Sequence, residues 1–259
     1  SIFTTTSVLL AGKANSAIVT SFNYTSFSSS SHIKLQGNAA IQGNGLLALT
    51  SDKNPSSNIG RVLYSSPVTI WDEATGNVAG FVSSITFRLE DVSEYVPADG
   101  IVFFLAPQDT QIPSGSTGGY LGVVNPKDAF NNFVGVEFDD YSNAWDPSYP
   151  HIGIDVNSLI SLQTAKWNRK SGSLVKAAIM YDCHAKTLSV AVENDGQIIT
   201  VAQMVDLKAV LPSKVVVGLS ASTSSGGIQR HDVYSWAFNS RLDTDPSNSK
   251  ENMNMASSK

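Results

Sequence analysis

The chain has 259 residues, 42% of them hydrophobic and 15% charged, which is enough apolar material to bury a sizeable single core. Its formal net charge of −5, with no run of Lys or Arg, offers no surface for tracking phosphates, so nucleic acid is not an expected partner. No stretch approaches the roughly 18 apolar residues of a membrane-crossing helix, so no membrane insertion is expected, and the single cysteine, Cys183, rules out an intramolecular disulfide.

Residues 1–16 differ in character from the rest of the chain. Val8-Leu-Leu-Ala11 is a short apolar patch, and Ala14-Asn-Ser16 has small residues at the spacing of a signal-peptidase site, so this segment reads as residual secretory signal with the mature chain starting near Ala17. The expected destination is the secretory pathway, ending outside the cell or in a vacuolar storage compartment. Asn23-Tyr-Thr25 is the one N-x-[ST] acceptor and a glycosylation candidate. From there to residue 90, apolar runs such as Leu46–Leu49, Val62–Tyr64 and Phe81–Leu89 are punctuated by Gly, Asn and Pro clusters. Phe81, Ile85, Phe87 and Leu89 alternate with Ser84, Thr86, Arg88 and Glu90, one face dry and one wet. Such strands build an all-β sandwich, and the lack of any long 3.6-residue period argues against a parallel α/β or dinucleotide fold.

Between residues 97 and 122, Asp99 precedes the apolar run Ile101–Leu105, which puts its carboxylate at the mouth of a core strand. Gly118-Gly119-Tyr-Leu-Gly122 reads as a loop whose missing side chains let a ligand approach the backbone.

Residues 134–158 carry the densest chemistry. With a period of two, Val134, Val136 and Phe138 share one face of a strand while Glu137 and Asp139 leave the other together. Adjacent carboxylates on a half-buried strand repel one another. A second strand starts at His151, whose imidazole falls on the polar side opposite Ile152, Ile154 and Val156, and the intervening loop adds Asn143 and Asp146. A divalent cation relieves that repulsion best. Asp139, Asn143, Asp146 and the Tyr141 carbonyl suit Ca2+, while Glu137, Asp139, Asp146 and His151 suit an octahedral ion such as Mn2+, with Asp139 and Asp146 bridging the two.

Further strands are expected over Leu174–Asp182, Thr187–Glu193 and Gln197–Leu207, the last two joined by the hairpin turn Asn194-Asp-Gly196. Cys183 reads as an idle turn thiol, and His32, His184 and His231 as surface or capping residues. Residues 215–242 form two strands around the loop Ser222–Arg230, where Ser225 and Gly226 could offer a hydroxyl or backbone N–H groups. The polar segment 243–259 is expected to be a disordered tail.

Glu137-Phe-Asp139, Tyr141, Asn143, Trp145-Asp146-Pro147 and His151-Ile-Gly-Ile-Asp-Val-Asn-Ser158 together resemble the metal-binding signature of the legume lectins. The resemblance extends through Gly60–Tyr64, Ile70–Asp72, Ala98–Gly100, Phe103–Pro107 and Ser235-Trp236, about residues 18 to 242, and is strongest to the family's fucose-binding Lotus type and galactose-binding peanut type. It implies one concanavalin-like jelly-roll β-sandwich domain over residues 17–242, a flat back sheet against a curved front sheet. It also implies a cis peptide bond between Ala98 and Asp99, a Ca2+- and Mn2+-dependent sugar site without catalysis, and a homodimer or homotetramer paired through the flat sheet. The sugar should be galactose, N-acetylgalactosamine or fucose on a glycoconjugate. Asp99 would accept from two hydroxyls, the Asn143 amide and Gly119 N–H would donate, and Tyr141 would stack on the apolar ring face. Loop residues Ser225 and Gly226 would close one wall.

Two alternatives share the same residues. A β-sandwich glycoside hydrolase would carry E-x-D-x-x-E, but the second Glu position holds Ser142. A storage or defence homologue would keep the fold and lose the sugar site, yet Asp99, Gly119 and Asn143 are all present. One departure stands out: Asp140 replaces the Thr that usually follows Glu-Phe-Asp in the family, and it is expected either to add charge that favours cations or to face solvent.

Overall fold

The computed structural model describes residues 16–246; the expected secretory remnant up to residue 15 and most of the expected tail lie outside the described residues. Strands follow one another as β1 (Ala17–Tyr24), β2 (Ile33–Gly37), β3 (Ala40–Ile41), β4 (Leu47–Ala48), β5 (Ile59–Tyr64), β6 (Val68–Thr69), β7 (Gly80–Asp91) and β8 (Gly100–Pro107). Then come β9 (Val134–Asp139), β10 (His151–Val156), β11 (Gln163–Lys166), β12 (Leu174–Asp182), β13 (Thr187–Asn194), β14 (Gln197–Met204), β15 (Lys214–Ser222) and β16 (Gln229–Asp243). They form two antiparallel eight-stranded sheets, a β-sandwich. One has the order β14-β13-β12-β7-β16-β4-β3 with β1 also paired to β16, and the other β11-β10-β9-β8-β15-β5-β2 with β6 paired to β15.

The alternation in the sequence sets which faces meet. In β12 every second residue is buried and the rest are exposed, and β7 follows the same rule, so this first sheet is dry on its inner face only. Phe87, Phe238, Trp236 and Ile179 from it pack against Phe103, Val136, Phe138 and Ile152 from the second sheet. The second sheet is covered on both faces. Its strands β8 and β9 are almost wholly buried, because Val102, Phe104 and Ala106 on the outward face meet Leu121, Val123, Val124, Phe133 and Leu159 from long loops. Thus a second core lies beneath the loops that carry the candidate site.

A buried cation anchors one of those loops. Arg61 of β5, 1% exposed, donates from Nη1 to the carbonyls of Gln111 and Gly122, both at 3.2 Å, and from Nη2 to Thr110 Oγ1 at 3.0 Å. Its guanidinium sits 4.7 Å from the Phe104 ring centroid.

Three sequence expectations need correction. The strand expected to reach Leu207 ends at Met204, because the Asp206 carboxylate accepts from the Ala209 N–H and caps a one-turn helix α1 (Leu207–Val210) that buries Leu207. The last strand runs past 242 to Asp243, held opposite Ala17 of β1. His231, read as a surface or capping residue, is fully buried, with Nδ1 2.9 Å from Thr50 Oγ1, since β16 pairs with β4 immediately beyond this point. Among the described residues no helix is long and apolar enough to cross a membrane.

Candidate functional site

Register brings the site together. Asp139, the last residue of β9, lies opposite Gly100 of β8 on one side and His151 of β10 on the other, so three strand ends meet at one level. Period-two geometry then points Glu137 and Asp139 away from the inter-sheet core, as expected, but under the 140–150 loop rather than into solvent: both are at most 1% exposed. Glu137, Asp139, Asp146 and His151 each place a potential ligand atom within 4.8 Å of all the others.

The electrostatics of this cluster suit a cation. Burial, then the charges of Glu137 and Asp146, hold the Asp139 carboxyl well above its usual range. Burial likewise raises Asp146 to about 6. Burial alone would lower His151, but the Glu137 carboxylate 3.0 Å from its Nε2 outweighs that and raises it. Glu137 Oε2 is buried with no hydrogen-bond partner, and so is the Asn143 side-chain oxygen of the second expected ligand set. Orphaned hard oxygens beside mutually repelling carboxylates fit divalent cations.

Sequence reasoning missed two residues behind the cluster. Ser161 Oγ lies 2.6 Å from Glu137 Oε1 and 2.7 Å from Asp155 Oδ1. Asp155 is fully buried, and burial first, then the charge of Glu137, pushes its carboxyl well above the usual range. The period-two pattern places Asp155 on the same side as His151, which was the available signal.

The second part of the site lies across the same strand ends. The peptide bond between Ala98 and Asp99 is cis. Asp99 is 2% exposed, its Oδ2 has no partner, and burial followed by the charges of Asp140 and Asp146 raises it to about 7. Gly118 and Gly119 sit in a 3-10 turn fixed to the end of β15. The Gly118 carbonyl accepts from Ser222 Oγ at 2.6 Å, the Gly118 N–H donates to the Thr223 carbonyl at 3.1 Å, and the Leu121 carbonyl accepts from Ser220 Oγ at 2.6 Å. A Cβ on Gly119 would fall 2.2 Å from Asn143 Oδ1, so only glycine lets the Asn143 amide lie there. Asn143 itself is set by its N–H donating to Asp146 Oδ2 at 2.7 Å, and Tyr141 by its N–H donating to Asp139 Oδ1 at 2.8 Å. The Tyr141 side chain is exposed, leaving its ring open for stacking.

Ser225 and Gly226 form the exposed tip of the 222–228 loop, and a Cβ on Gly226 would touch nothing within 4 Å. The residue that faces the site is Ser224, whose Cβ would lie 3.6 Å from a Cβ on Gly118. Its hydroxyl accepts from the Gly227 N–H at 2.9 Å. Asp140 does not face solvent: its carboxylate is fully covered and pairs with Arg169, Nε to Oδ2 2.8 Å, while its charge, after burial, still helps to raise the Asp99 and Asp139 carboxyls. Ser142, where a hydrolase would need its acid, is exposed and donates to the Pro147 carbonyl at 2.6 Å.

Comparison with known proteins agrees with the geometry. The legume lectin domain matches residues 19–255. A galactose-binding lectin of Arachis hypogaea is 51% identical over 269 residues, spanning 99% of this chain and 98% of its own. An anti-H(O) lectin of Lotus tetragonolobus is 52% identical over 233 residues, 86% and 97% of the two chains. Among solved structures, peanut lectin with a 9mer peptide superposes with a TM-score of 0.85 at 52% identity, covering 88% of this chain and 100% of that one. With this sandwich, these strand ends and a match along nearly its whole length, the chain belongs to the legume lectin family of carbohydrate-binding, non-catalytic proteins.

Proposed function

We propose that this lectin binds glycans bearing galactose, N-acetylgalactosamine or fucose, and does so only when Ca2+ and Mn2+ are present. The single observation that carries this reading is the packing of the Asn143 amide against Gly119 beside the unpartnered Asp99 Oδ2. Those groups supply what a pyranose edge needs: a carboxylate acceptor, an amide donor and a backbone donor, with the Tyr141 ring free to cover an apolar C–H face. Ser224, with Ser225 and Gly226 at the loop tip, borders the same opening. Glu137, Asp139, Asp146 and His151 would hold Mn2+, and Asp139, Asn143, Asp146 and the Tyr141 carbonyl Ca2+. When bound, the cations neutralise the carboxylate cluster and take the Asn143 oxygen, leaving its NH2 to face the sugar. Galactose is favoured by the Arachis relative and a fucose-containing glycan by the Lotus one.

The same reading includes assembly and location. Shallow sites hold single sugars weakly, so a homodimer or homotetramer would supply useful avidity. The outer face of the first sheet suits such pairing: Ala191, Ala178, Ser84 and Ala237 lie side by side across β13, β12, β7 and β16, small and at least partly exposed. Asn23, exposed on β1 next to Ala237, fits a glycan acceptor and with it a secretory route to an extracellular or vacuolar compartment. A glycan array run with and without chelator tests the core claim. Binding to galactosides or fucosides that vanishes with chelator and returns with Ca2+ and Mn2+ is expected; undiminished binding in chelator would overturn it.

A further inference from the structure

Asp140, Arg169, Gln229 and Asp91 close a ring at the base of the site. Arg169 directs Nε to Asp140 Oδ2 and Nη2 to Asp91 Oδ1, both at 2.8 Å. The Gln229 NH2 donates to Asp140 Oδ2 and, at 3.3 Å, to Asp91 Oδ1, so its two protons serve both carboxylates. The Asp140 side chain is 0% exposed, Arg169 9% and Gln229 1%. Four separate segments meet here: the residue after the end of β9 that carries candidate cation ligands, the loop between β11 and β12, the end of β7 and the first residue of β16.

Two of those segments lead directly into the proposed sugar site. The Asp140 N–H donates to the Asp99 carbonyl at 3.3 Å. Gln229 is the residue at which the 222–228 loop, with Ser224 facing Gly118, rejoins a sheet. A buried ion pair adds little stability over an apolar packing of the same volume, but its directional bonds fix relative position. We infer that Arg169, acting through Asp140 and Gln229, is a positioning residue for carbohydrate binding. It holds the 222–228 loop and Asp99 in register with the end of β9, by a route separate from the cations. The inference rests on the sugar-binding reading above.

The test uses the full chain as R169Q, D140N, the double variant R169Q/D140N, and Q229L. Each is titrated calorimetrically with methyl α-galactoside and with fucose, assayed for bound metal by mass spectrometry, and followed by hydrogen exchange over residues 222–228. Each single charge change is expected to weaken sugar binding by about tenfold or more at unchanged metal content, and to speed exchange in the loop. The double variant, in which two amides can bond in the buried part of the ring and only the part-exposed Asp91 loses its guanidinium partner, should recover most of both. Q229L keeps the ion pair and so serves even if a single charge variant folds poorly; it too should loosen the loop and weaken binding. Wild-type affinity and loop exchange in these variants, losses that follow metal content, or a double variant no better than the worse single would each overturn the inference. If the wild type binds neither sugar, it is the function reading that fails, and the exchange data still decide whether the ring holds the loop.

Discussion

Gly119 shows how much of the site is decided by a single missing atom. A methyl group there would occupy the position of the Asn143 amide, 2.2 Å from its oxygen, so G119A must push that donor aside. We expect G119A to weaken galactoside binding by roughly tenfold or more, the value of one lost hydrogen bond to the sugar, with little change in melting temperature; unaltered affinity would remove Asn143 from the site. His231 makes a different single-residue prediction. Burial, with Arg169 nearby, lowers its pKa to about 3. The unfolded chain therefore takes up a proton near pH 6.5 that the folded chain refuses, and the contribution of His231 to stability falls as pH drops from about 6.5 toward 3, by up to about 1.4 kcal/mol per pH unit. Relative to H231Q, the wild type should lose stability across that window, and matching slopes would leave His231 no part in the acid response. Glu137, Asp139, Asp146 and His151 were legible in the sequence because alternation and one short loop bring them together. Asp140 with Arg169, and His231 with Thr50, were not, since each pair is far apart along the chain and meets only through sheet topology.

At the level of strands, legibility depends on how many faces are wet. β7 and β12 alternate cleanly and could be placed from sequence, whereas β8 reads as an apolar run and β9 and β10 carry polar residues that are nonetheless buried, because loops dry the second face of all three. Only the polar residues on β9 and β10 reveal which side holds the ligands. Their antiparallel register brings the candidate cation ligands of two strands together, so binding there should brace both. Mn2+ at about 100 times its Kd stabilises a folded protein by about 2.7 kcal/mol, raising the melting temperature of a domain this size by about 5 to 10 °C. The wild type should show that rise and E137Q should not; equal shifts in both would take Glu137 out of the ligand set.

For the whole molecule, the first sheet offers a row of short side chains on its outer face, Ala191–Ala178–Ser84–Ala237, and a candidate glycan acceptor beside it. If subunits meet there, A178E should lower the mass seen in sedimentation and abolish cell agglutination, while leaving the calorimetric affinity for a monosaccharide intact. Agglutination by an A178E monomer would be incompatible with that assembly. The all-β sandwich class was readable from turn spacing and strand patterning, but the second core was not, because its residues are scattered through loops that show no period. That hidden layer bears on any attempt to re-engineer recognition. Leu121, Val123 and Val124 are the underside of the very segment whose upper side carries Gly118 and Gly119, so the segment cannot be exchanged with a relative's as a free-standing cassette. Val102, Phe104 and Phe133 beneath it would have to be transplanted in the same step, or the graft would leave a gap where the scaffold should be solid.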